Sequence, residues 1–325
     1  MNKKNVIILA AAAFLLPVGL YVFKFGSALT DSHAHWGEFG SYLSGVYGSL
    51  ALVILAYTTY LTQTQFKRQN EDSVFFKLFD SLQNRVANSV IRVDGDELSA
   101  HQCSKYIAER FAKELSIEAV EIARLLLWKN PESIGKTQLF KLLHAVRGNV
   151  VFDKIEENCE SFIKELTSSD DLNIRWENLK YHIGSRGAEG HDIRKALEAI
   201  GSVSFYKIPF QMRQTHYQVA LSRILSDHGE FLDGYFSSLE CIAELAEVAT
   251  NREIYIKYIQ AQLTRYEVII VFYMLAGQEH PKSRALSFRS SGILNRLKTL
   301  DCQSLMLDFP SREDIEMELQ HVFAR

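Results

Sequence analysis

The chain has 325 residues, 47% of them hydrophobic and 23% charged, with a formal net charge of −3 at pH 7. That length can bury a substantial core, and residues 66–325 hold slightly more acid than base, which excludes a domain built mainly to neutralise phosphates. The cysteines at 103, 159, 241 and 302 share no CxxC or Cys/His spacing, so they supply no metal site and read as ordinary thiols of a reducing compartment.

The first predicted element is the uncharged run 6–23 (VIILAAAAFLLPVGLYVF), long enough to cross a hydrocarbon core. Lys3 and Lys4 before it and Gly26, Ser27 and Ala28 after it also suit a signal peptide, but the run is longer than a typical h-region. A second run, 39–61, contains no Asp, Glu, Lys, Arg or His and is the stronger span. Lys67 and Arg68 follow it, so the positive-inside bias puts both termini in the cytoplasm and a short loop at about 24–38 outside. This predicts a multi-pass protein of a bacterial inner membrane. Gly40, Ser44 and Gly48 recur every four residues, as do Ser41, Gly45 and Ser49, and such rows let helices approach closely in lipid. Two readings stay open: contact with the alanines at 10–13, or contact between protomers. The spans carry no charge for a proton relay. Asp31, His33 and His35 in the outer loop form too small a cluster to count as a metal site.

Between Gly48 and Gly95 there is neither glycine nor proline, and Phe75, Leu78, Phe79, Leu82, Val86 and Val90 recur at helical spacing. The second span is thus expected to continue as one rod of roughly 45 residues and ~70 Å, with a polar hinge at 62–65 as the alternative. Helical periodicity returns at 106–128, 137–146, 155–166 and 193–200. An αα-hairpin is expected over 228–277: one stripe runs from Leu232 to Ala246 and a second from Tyr255 to Tyr273, with capping-box spacing at 250–253 (TNRE) and Gly277 as the stop. The run 203–210 (VSFYKIPF) has the composition of a short strand, and a last helix starts at Ser311. The fold class is therefore all-α: a transmembrane hairpin in 1–65, a juxtamembrane helix and first helical lobe in 66–200, and a second lobe in 201–325.

Catalytic signatures are missing. Residues 134–137 (IGKT) resemble the end of a phosphate-binding loop, but Asn130 stands at the first glycine position, Pro131 follows it, and a helix precedes where a strand is required. The glycines at 184, 187 and 190 read as a surface loop, and Glu156, Glu157 and Glu160 beside Cys159 as a solvated helix face. No HExxH or GxSxG motif occurs, so a non-enzymatic protein without cofactor or metal is expected. Lys282, Arg284, Arg289, Arg296 and Lys298 lie in an acid-free stretch that suits RNA, an acidic partner or anionic headgroups, against the plainer reading of a surface helix balanced by the acids at 314–318.

The layout of two spans, the juxtamembrane segment FKRQNEDSVFFKLFDSLQNRV and a long helical domain resembles the AbiC-like phage abortive infection family. Tyr235 and Phe236, followed by an aliphatic-aromatic helix with Gln262, Leu263, Thr264 and Glu267, match its pattern, Thr264 standing where Ser is frequent. A narrower similarity is to the two-transmembrane effectors of retron defence systems. The resemblance implies an effector that disrupts the inner membrane when infection is sensed, forming a homo-oligomer on activation and guarded by a reverse transcriptase with its RNA-DNA product. It assigns no small-molecule substrate. The residues themselves read as structural: Tyr235 and Phe236 as core, Gln262 and Glu267 as hydrogen-bonding groups between the helices. A tethered sensor or binding module and a membrane-anchored nuclease or NTPase are the competing functions.

Overall fold

The structure is a computed structural model that describes residues 12, 15–24, 33–93, 95–148, 154–184, 190–278 and 282–324, with backbone alone at 33–35 and 282–284. The fold is all-α and mostly helical, and the chain divides into two compact units, Met1–Ser73 and Val74–Arg325.

The first unit contains α1 (Leu15–Lys24) and the start of α2 (His33–Ala87), an unbroken helix of 55 residues. With no glycine or proline after Gly48, nothing interrupts it. The polar stretch weighed above as a hinge is helical: Thr58, Thr59, Thr62 and Thr64 each donate a hydroxyl to a carbonyl one turn back, at 2.8–2.9 Å. From Trp36 onward α2 is long and apolar enough to cross a membrane, and its apolar window is not buried inside the protein. Residues 6–11, 13 and 14 of the first expected span lie outside the described residues, as do the small residues at 26–28 and the side chains of Asp31, His33 and His35.

In the second unit α2 ends on a stripe of buried Phe75, Phe79, Leu82 and Val86. An antiparallel hairpin follows, β1 (Val90–Val93) with β2 (Asp96–Ser99), turning through Gly95 at φ +95°. Next come α3 (His101–Lys129), α4 (Lys136–Arg147), α5 (Ile155–Leu166), α6 (Leu172–Ile183), α7 (His191–Ser204), α8 (Phe210–Val248), α9 (Arg252–Gln262), α10 (Arg265–Ala276), α11 (Lys282–Ser291), α12 (Leu300–Gln303) and α13 (Arg312–Phe323). Helix α3 serves two cores. Its first half, through Cys103, Ile107 and Phe111, joins a large core with α2 and α8–α13; its second half, through Ala123 and Leu127, joins a smaller one with α4–α7.

Three local expectations change. Residues 203–210 form no strand, because α7 runs to Ser204 and a 3-10 turn, Phe205–Lys207, carries the chain to Pro209 at the head of α8. Phe205 and Ile208 are buried, so their apolar character serves the core and not a sheet. The second arm of the expected hairpin is two helices, broken at Leu263–Thr264, and the first arm belongs to a longer α8 that bends at His228. Helix α9 begins near the expected point, yet Asn251 is its N-cap and gives no side-chain bond, whereas the Ser311 capping box of α13 forms with Asp314.

Helices α3 and α7 approach closely, and a Cβ on Gly201 would overlap the carbonyl of Ala119. Backbone cannot yield as a side-chain tip can, so Gly201→Ala should lower stability by about 1–3 kcal/mol in chemical denaturation, with α3 and α7 losing amide-exchange protection first.

Candidate functional site

In the first unit, α1 lies along one face of α2. Tyr21 meets Phe39 at 4.6 Å and Tyr42 at 5.5 Å between ring centroids, and Leu16 and Pro17 share a shallow groove with Val46, Ser49, Leu50 and Val53. At 3.6 residues per turn, Gly40, Ser44 and Gly48 fall roughly 130–170° around the helix from that face. They are exposed, and a Cβ added at Gly40, Gly45 or Gly48 would meet no atom within 4 Å. Of the alanines at 10–13 only Ala12 is described, and it sits on the groove side. The Gly40 row is therefore open among the described residues.

In the second unit, the residues that carry the family resemblance come together. Tyr235 and Phe236 of α8 are buried, Phe236 beside Phe288 at 5.2 Å. Thr264 and Glu267 form the capping box of α10. The Thr264 N–H and hydroxyl both donate to Glu267 Oε2 at 2.7 Å, and the Glu267 N–H donates to Thr264 Oγ1 at 3.3 Å. Burial, with the nearby Glu267 carboxylate adding to it, pushes the Tyr235 hydroxyl well above its ordinary range. Gln262 accepts from Gln83 Nε2 of α2 at 3.3 Å. Glu267 thus caps its own helix, and the inter-helix bond of Gln262 goes to α2.

The basic stretch is divided among tasks. Arg296 donates to the carbonyls of Gln260, at 3.2 Å, and Leu263, closing the end of α9. Lys298 pairs with Glu316 at 3.1 Å, and that ammonium is the main cause that lowers the Glu316 carboxyl. Arg289 is exposed in a groove with Asn295, Gln320 and Phe323 and makes no ion pair among the described residues. The side chains of Lys282 and Arg284 lie outside the described residues. The IGKT segment connects a 3-10 turn, Pro131–Ser133, to α4, and Lys136 Nζ pairs with Glu156 at 2.6 Å. Among the described residues no group of three His, Cys, Asp or Glu is placed to hold a metal.

The chain matches no protein-family model, no curated protein and no solved structure. Its function must be read from its own geometry.

Two ionic sites pass unnoticed in the sequence because their members are far apart in it. Between α3 and α8, Arg223 bonds Glu118 at 2.8 Å and Glu114 at 3.3 Å, and His216 bonds Glu118 at 3.1 Å. The His216 hydrogen bond is the largest cause lowering the Glu118 carboxyl. The other site docks α13: Glu318, fully buried, pairs with Arg213 of α8 near the buried hydroxyls of Tyr217 and Tyr273. Burial outweighs the guanidinium and pushes the Glu318 carboxyl up to about 7. A raised folded-state value means that its contribution to stability is present below the ordinary 4.5 and is lost as pH rises through 7. The melting temperature of the wild type should accordingly fall relative to Glu318→Gln between about pH 5 and 8, measured by thermal melts of both proteins across that range.

Proposed function

We propose that this chain is a membrane-anchored effector of a bacterial anti-phage abortive infection system, which on triggering permeabilises the inner membrane and kills the infected cell. In this reading α1 and the apolar part of α2 cross the bilayer as a hairpin, and both termini and the unit Val74–Arg325 lie in the cytoplasm. The observation that carries it is the open Gly40, Ser44, Gly48 row on the side of α2 away from α1. Small residues at four-residue spacing favour helix association in lipid, so the row is the surface along which activated copies assemble. Two further points support the reading. The juxtamembrane segment and the Tyr235, Phe236, Gln262, Thr264 and Glu267 pattern resemble the AbiC-like family, and the sequence of the larger unit carries no HExxH or GxSxG motif. A retron reverse transcriptase with its RNA-DNA product is the proposed guard, and exposed Arg289 is the proposed contact for an anionic partner.

A Cβ at Gly40 or Gly48 meets open space among the described residues, so Gly40→Leu and Gly48→Leu should leave the single molecule folded and act where copies meet. Both should suppress killing, dye uptake and loss of membrane potential after phage challenge while protein levels stay normal. Killing with an intact membrane potential would remove the pore reading. Full killing by a chain whose residues 1–65 are replaced by an unrelated two-helix anchor would favour a tethered binding module instead.

A further inference from the structure

Within the second unit, a cavity of about 200 Å³ opens where the end of α2, the start of α3 and the α9–α10 junction meet. Phe79, Leu82 and Leu263 give it an apolar floor, and Gln83 and Gln262, bonded to each other at 3.3 Å, stand at its rim. Glu267 also lines it and is only 5% exposed. Its capping bonds all end on Oε2, and among the described residues no Lys, Arg or His forms an ion pair with it.

This sets Glu267 apart. A buried carboxylate ordinarily sits beside a cation, since its charge is costly to desolvate alone. The other acids of comparable burial obey that rule: Glu114 and Glu118 meet Arg110, Arg223 and His216, and Glu318 meets Arg213. The N-terminus of α10 offsets part of the Glu267 charge, but around the cavity stand neutral amides, carbon and the His101 imidazole, which forms no ion pair with Glu267 among the described residues.

We infer that this cavity binds a small organic cation of the alkylguanidinium or alkylamine class. Its head group meets the Glu267 carboxylate, the Phe79 ring favours the positive charge, the alkyl body lies on Leu82 and Leu263, and the rim amides accept outlying N–H groups. The site stands whether or not the chain permeabilises membranes, and its test does not use killing as a readout.

The experiment is calorimetric titration of the full chain in detergent with agmatine and putrescine, and with butanol as an uncharged control. Saturable binding of at least one cation and none of butanol is expected. Glu267→Gln keeps a cap, because glutamine serves the same position in a capping box, and should weaken binding by about tenfold or more through loss of a charge-assisted contact. Gln83→Lys, at the exposed rim, supplies a competing ammonium and should abolish binding, whereas Gln83→Glu should strengthen it. The rim variants decide the matter even if Glu267→Gln fails to fold. Absence of saturable binding of both cations to the wild type, or wild-type affinity in a folded Glu267→Gln or Gln83→Lys, overturns the assignment.

Discussion

After its first two residues, helix α10 has no solvent face. Every residue from Glu267 to Ala276 is buried, and a helix apolar all round needs a neighbour on each side. Helices α3, α8 and α12 and the 3-10 segment Ile293–Lys298 provide those neighbours, with Phe111 of α3 stacked on Tyr273 at 4.8 Å. Such a helix cannot hand its first N–H groups to bulk water, so its cap has to come from within. Thr264 and Glu267 supply that cap, which is why a carboxylate is found at the edge of a core. The break at Leu263–Thr264, the burial of Tyr235 against Glu267 and the cavity beside them all follow from covering α10.

Helix α2 meets two different demands with one backbone. Over 50–61 it is apolar with no polar side, and Leu52, Val53, Ile54, Leu55, Tyr57 and Tyr60 are exposed. That pattern suits lipid and is unusual for a water-facing surface. After Ser73 the apolar positions narrow to a stripe. Phe75 stacks on Tyr255 at 4.1 Å and Phe79 meets Tyr258 edge-on at 5.1 Å. Aromatic pairs of this geometry add to the area they bury, and they hold the C-terminal turns of α2 against α9. The two patterns are separated by a mostly charged and amide stretch, 65–72, in which Gln, Lys, Arg and Glu favour a continuous helix.

Much of this was legible in the sequence. The absence of glycine and proline between 48 and 95 foretold the unbroken α2, and periodicity placed α3, α4, α5 and α7 within a few residues. The Ser311 cap was readable because its partner lies three residues on. The misreadings have physical causes. Aromatic and aliphatic residues continue through 255–273 at helical spacing, and that rhythm masked the Thr264-x-x-Glu267 cap that splits the run. Residues 203–210 are β-branched and aromatic, yet those side chains fill the core around a 3-10 turn, since packing overrides propensity in a short segment. The β1–β2 hairpin had a signal, an Asp-Gly pair between two short runs; without alternating burial it did not stand out, and only Ile91 on β1 is buried.

The site was harder to read because its chemistry is set by pairing across the fold. His216 and Glu118 are 98 residues apart, and Arg223 and Glu114 are 109 apart, so neither pair leaves a local motif. Once such pairs are matched, what distinguishes a residue is the balance between its burial and its partners. Gly40 and Gly48 are small where nothing among the described residues requires smallness, whereas Gly201 is small because Ala119 leaves no room. Glu318 is buried with its cation, and Glu267 is buried without one among the described residues. In each case the fold accounts for the first residue completely, and for the second it accounts for the position but not for the whole of its character: capping α10 places the Glu267 carboxylate but brings no cation to it among the described residues. That difference, which needs three dimensions to see, separates structural residues from candidates for function in a chain without a catalytic motif.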